Sequence, residues 1–116
     1  DDFQFTGKPH LFLMKYKAGF DDDCKLEAVI THLYSNCGWS VDLSITVTDR
    51  SHFLSDGAYY CPNFYTESIM CKINLPSNTA FRGFSAPQAS FMADEIIDHT
   101  SSFLGKTPED IRKLNL

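Results

Sequence analysis

With 116 residues, 43% of them apolar and 14% aromatic, the chain can form one domain with a modest packed core. A formal net charge of -5 excludes a strongly basic nucleic-acid binder, and no apolar run is long enough to span a bilayer. The chain opens Asp1-Asp2-Phe3, with no initiator Met and no basic secretory n-region, which predicts a piece of a longer polypeptide.

Leu11 to Phe20 alternates, with Phe12, Met14, Tyr16, Ala18 and Phe20 on one face and Lys15 and Lys17 opposite, the pattern of a half-buried strand. Asp21-Asp22-Asp23 marks a turn. Lys25 to Ser35 then alternates again through Leu26, Ala28 and Ile30, so the pair reads as a β-hairpin. The acidic triplet lacks the spaced oxygen ligands of a calcium loop and reads as a solvated tip. Cys24, Cys37, Cys61 and Cys71 are irregularly spaced, with no Cys-x-x-Cys and no His at finger spacing. Reduced, partly buried thiols are expected rather than a zinc site or a disulfide scaffold.

Asn36, Gly38 and the single Trp39 mark a loop. Val41 to Leu54 fits two patterns: Val41, Leu43, Ile45 and Val47 alternate like a strand, while Leu43, Val47, Arg50 and Leu54 share a helical face. The β-branched residues favour the strand. Asp56-Gly57 and Pro62-Asn63 lead into a third strand, Phe64 to Ile73, with Tyr65, Ile69, Cys71 and Ile73 on one side. From Ala86, the spacing of Ala89, Met92, Ala93, Ile96, Thr100 and Phe103 predicts a helix that stops at Gly105. Thr107-Pro108-Glu109-Asp110 opens a short final helix with an N-cap, a first-turn Pro and first-turn acids. The expectation is an α+β fold: a small mixed β-sheet, made of the hairpin plus a further strand, against two longer helices and a short C-terminal helix.

Between the third strand and the long helix lies Asn74-Leu75-Pro76-Ser77-Asn78-Thr79-Ala80-Phe81-Arg82-Gly83-Phe84-Ser85-Ala86-Pro87-Gln88. Ser85 followed by Gln88 reads as a capping box, with Pro87 in the first helical turn. One loop therefore carries a guanidinium, an aromatic face and the positive end of a helix, which together suit an electron-rich or anionic planar ligand. No nucleophile elbow supports a small hydrolase.

The string Asn-Leu-Pro-Ser-Asn-Thr-Ala-Phe-Arg-Gly-Phe-x-x-Pro-Gln closely resembles a signature of the molybdenum hydroxylases, the xanthine dehydrogenase and aldehyde oxidase family. The resemblance runs through the chain, at Thr6-Gly7-Lys8-Pro9-His10, Asp42-Leu43-Ser44, Asp49-Arg50, Ala58-Tyr59-Tyr60, Cys71-Lys72-x-Asn74, Glu109-x-x-Arg112 and Asn115. It implies a helix over Val41 to Leu54. It also implies that residues 1–116 are one domain, a fragment of the molybdopterin (Mo) cofactor-binding region of a cytoplasmic, homodimeric, multidomain oxidoreductase. Such an enzyme hydroxylates purines, N-heterocycles or aldehydes with oxygen from water.

Three positions carry over by resemblance. Arg82 matches the arginine beside the molybdenum centre, near the metal but not a side-chain ligand to it. Phe84 matches the aromatic that stacks on the substrate ring, and Arg50 matches the arginine that pairs with the carbonyl oxygen of purine substrates. The glycine-rich pterin loop, the general-base glutamate, and the 2Fe-2S and FAD regions are not among these residues, so the chain alone is expected to be inactive and to depend on other domains of the same polypeptide. Ser85-Ala86 stands where many members have two glycines, and Trp39 where a polar residue is common. Those departures support an alternative in which the segment is degenerate and serves as a structural or interaction module.

Overall fold

The computed structural model describes residues 6–116. Three strands and three helices follow in the order β1 (Phe12–Phe20), β2 (Leu26–Gly38), α1 (Ser44–Phe53), β3 (Asn63–Lys72), α2 (Ala86–Leu104) and α3 (Pro108–Leu114). The sheet order is β1-β2-β3, with β1 antiparallel and β3 parallel to the central strand. This is the expected α+β arrangement with a mixed sheet. Because β2 and β3 run the same way, the chain must cross over between them, and α1 is that crossover.

The hairpin turn is tied by Asp21, whose side chain accepts from the Lys25 N–H at 2.8 Å while its carbonyl accepts from the Cys24 N–H at 3.0 Å. A β-bulge follows at once: Gly19 pairs with Ala28 but Phe20 pairs with Leu26, leaving Glu27 without a partner. The extra residue reverses the phase of β2. Alternation through Leu26, Ala28 and Ile30 predicts those three as one face, yet Val29, Thr31, Leu33 and Ser35 are the buried set while Ala28 and Ile30 are exposed. On β1 the expected half-buried face is found at Phe12, Met14, Tyr16, Ala18 and Phe20.

The helices cover one side of the sheet. Leu26 and Val29 pack with Ile96 and Ile97 of α2 and Ile111 of α3, and Met14, Tyr16 and Phe64 close the rim of this core. On α1 the buried residues are Ser44, Val47, Thr48 and Ser51. Leu43, Ile45 and Phe53 face outward, Phe53 being 78% exposed. This departs from ordinary amphipathicity, and it explains how a helix can read as a strand: Val47 apart, the apolar residues do not mark the inner face. Small hydroxyl side chains let α1 lie close to the sheet, where Ser55 and Thr31 both bond the Thr66 hydroxyl, at 2.9 and 2.6 Å. The opposite side of the sheet is bare, with Leu13 and Tyr65 each 58% exposed. All four cysteines are free thiols, Cys24 and Cys37 being buried.

Candidate functional site

The loop from Asn74 to Gln88 is held in two halves. The first is stitched to the end of β2. Trp39 N–H donates to the Leu75 carbonyl at 3.0 Å, Ile73 N–H to the Gly38 carbonyl at 2.9 Å, and the Asn78 side-chain amide to the Asn36 carbonyl at 2.8 Å. Gly38 permits this contact: its φ is +72°, and a Cβ there would lie 2.4 Å from the Pro76 carbonyl oxygen. On the other flank Thr79 N–H donates to the Lys8 carbonyl at 2.9 Å. His10, buried beside them, bonds Ser44 at the start of α1 through Nε2 at 2.7 Å, while its Nδ1 has no hydrogen-bond partner among the described residues. Burial holds the pKa of His10 below its ordinary value, with the Thr79 backbone and the Asp42 charge opposing less strongly.

The second half is a run of three left-handed residues, with φ of +94° at Gly83, +49° at Phe84 and +64° at Ser85. Hydrogen bonds from Phe84 N–H to the Phe81 carbonyl (2.7 Å) and from Ala86 N–H to the Gly83 carbonyl (3.0 Å) close overlapping turns. The expected capping box is absent. In the left-handed conformation Ser85 makes no side-chain cap, and its hydroxyl instead donates to the Val47 carbonyl of α1 at 2.6 Å. Gln88 does not reach back either; its side-chain amide donates to the His10 carbonyl at 3.4 Å. Thr107, by contrast, caps α3 as expected, accepting from the Asp110 N–H.

Folding in this way brings Phe84 against the exposed side of α1. An open groove of about 470 Å³ is lined by Thr46, Asp49, Arg50, Phe53, Leu54 and Phe84. Two of the three residues singled out from the sequence, Arg50 and Phe84, therefore share one groove although 34 positions separate them in the chain. Arg82 does not line it; it stands exposed at the tip of the loop. Among the described residues, neither Arg50 nor Arg82 makes an ion pair with a carboxylate, so Arg50 is not tied up by Asp49 or Asp56. Sequence reading missed Thr46 and Phe53 as lining residues. Their spacing around Arg50, four before and three after, was the available signal.

His52 turns from the groove to bond Ser68 of β3 through Nδ1 at 3.0 Å, which makes it a packed residue. A larger groove, about 650 Å³, runs between β1 and α2 past Leu11, Leu13, Phe91 and Glu95. At its end Tyr16 hydrogen-bonds His99, and the Tyr16 hydroxyl is pushed up in pKa by burial and by the Glu95 charge. No group of three or more His, Cys, Asp or Glu is placed to hold a metal among the described residues. Among the described residues, no helix is long and apolar enough to cross a membrane.

A family model described as the molybdopterin cofactor-binding domain matches residues 1–116. Xanthine dehydrogenase from Oryza sativa subsp. japonica is 46% identical over 98% of the chain, and human aldehyde oxidase 40% over 100%. The chain spans only 8% and 9% of the length of these two relatives. Among solved structures, the aldehyde oxidoreductase of Desulfovibrio gigas superposes with a TM-score of 0.78 at 25% identity, covering 97% of this chain and 12% of that one.

Proposed function

The chain belongs to the molybdopterin cofactor-binding domain family, and we propose that it forms one wall of the substrate site in a longer enzyme of the xanthine dehydrogenase or aldehyde oxidase type. The observation that carries this reading is the shared groove, where Arg50 and Phe84 present a cation and a flat ring to the same space. A purine or other N-heterocycle lying on Phe84 has its ring plane fixed, a contact worth about 1 kcal/mol beyond its burial. Arg50 then donates to a carbonyl oxygen of that ring and stabilises negative charge as it develops there.

Arg82 lies toward the cofactor in this reading. Its guanidinium makes no ion pair among the described residues, and the adjoining N-terminus of α2 has neither a side-chain cap nor an acid in its first turn. Such a donor set suits the anionic and carbonyl oxygens of a pterin cofactor, whereas nothing in it is a metal ligand. When bound, the molybdenum cofactor supplies the redox chemistry and the transfer of oxygen from water. The residues of this chain bind and orient the substrate. The general-base glutamate, the 2Fe-2S clusters and FAD would belong to other domains of a cytoplasmic homodimer.

Molybdenum analysis of the intact polypeptide, together with oxidation assays on purine and aldehyde substrates, tests the proposal. Molybdenum bound with turnover of either class is expected. A metal-free, inactive intact protein would favour a degenerate structural segment instead. One support for that alternative is weakened: Ser85, in place of a family glycine, adopts the left-handed conformation and gains a buried hydrogen bond.

A further inference from the structure

We infer that Ser85 is a positioning residue that sets the spacing between Arg50 and Phe84, an inference that rests on the reading of their groove as the substrate site. Ser85 is buried, and it connects the two elements that carry the groove residues. It adjoins Phe84 in the loop. Its hydroxyl donates at 2.6 Å to the carbonyl of Val47, which lies one turn before Arg50 on α1. Its own carbonyl accepts from the Ala89 N–H at 3.0 Å, so the same residue also anchors the start of α2. Nothing else in the loop is as well placed to hold Phe84 to α1: Gly83 has no side chain, and Arg82 is exposed.

The backbone conformation sharpens the argument. A φ of +64° is strained for serine and free for glycine. Glycine would relieve the strain but leave the loop untethered. Serine accepts the strain in exchange for a bond that ties the aromatic wall to the cationic wall. The residue at 85 thus acts on the width of the groove and not on the chemistry within it. A fixed width favours flat rings that must touch both walls at once, whereas a small aldehyde that meets neither wall fully is little affected.

The experiment uses the full-length polypeptide that contains this chain. Ser85→Gly and Ser85→Ala are compared with the parent in two measurements: equilibrium binding of a purine to cofactor-free protein, and kcat and KM for purine and small-aldehyde oxidation by loaded enzyme. The expected result is a loss of purine affinity of about five- to tenfold in both variants, with KM rising and kcat nearly kept, the scale of one lost hydrogen bond. Ser85→Gly should unfold no more easily than the parent, because relief of the backbone strain offsets the lost bond. Purine binding by Ser85→Gly equal to that of the parent would overturn the inference. Arg50→Met and Phe84→Ala, measured in parallel, separate the two levels. If both weaken purine binding and Ser85→Gly does not, only the positioning role falls; if neither does, the reading of the groove falls and the role of Ser85 with it.

Discussion

The backbone N–H of Leu26 donates to Oδ1 of Asn115 at 2.7 Å, joining residues 89 apart in the chain. Asn115 also donates through Nδ2 to the carbonyls of Ile111 at 2.8 Å and Cys24 at 3.2 Å. Its backbone carbonyl accepts from Tyr60 N–H at 2.7 Å, so the end of α3, the hairpin turn and the approach to β3 meet on one buried residue. Asn115→Ala leaves the Leu26 N–H buried without a partner and should cost about 2–3 kcal/mol in denaturant unfolding. A loss below about 0.5 kcal/mol, the ordinary effect of a surface change, would show that this junction is not structural.

Arg50→Met in the intact enzyme should depress kcat/KM for purines by about 100-fold or more, the scale of removing a donor to a developing charge. Aldehydes, which offer no ring carbonyl to Arg50, should lose much less. Equal losses for the two substrate classes would remove the pairing role assigned to Arg50.

Phe84→Leu keeps an apolar side chain at a left-handed position but removes the flat face. Purine KM should rise by about fivefold, corresponding to the stacking contribution, with kcat changing less. An unchanged KM would mean that the ring does not lie on Phe84.

His10 gives stability a dependence on pH. Its folded pKa lies below the ordinary imidazole value of 6.5 because it is buried beside Ser44. Above pH 6.5 both folded and unfolded forms hold it neutral and its contribution is complete. As pH falls below 6.5 the unfolded chain takes up the proton first, so stability declines until the lowered folded pKa is passed. Thermal unfolding should therefore occur at lower temperature at about pH 5 than at about pH 7.5, and His10→Gln should flatten part of that slope. An unaltered slope in His10→Gln would assign the effect to other groups.

The strand β1, α2 with its glycine stop at Gly105, and the Thr107 cap of α3 were legible because local pattern and tertiary environment agree there. Three features were not. The bulge at Glu27 changes which side chains of β2 face the core, and nothing in the alternation of Leu26, Ala28 and Ile30 announces it. On α1, Ser44, Thr48 and Ser51 join Val47 on the buried face while Leu43, Ile45 and Phe53 look outward, so hydrophobic periodicity does not mark the side that packs. At Ser85 a tertiary bond to Val47 displaced the local bond of a capping box. Of the site, the identities of Arg50, Arg82 and Phe84 came from resemblance. That Arg50 and Phe84 share a groove while Arg82 stands outside it required three dimensions.

A helix whose oily flank looks outward is an unfinished surface. Expressed by itself, the chain would show Leu43, Ile45 and Phe53, with Leu13 and Tyr65 on the other side of the molecule, to every neighbour in the tube. Light scattering of the purified segment should accordingly climb with concentration. Ile45→Lys should damp that self-association while sparing the hydroxyl contacts beneath the helix.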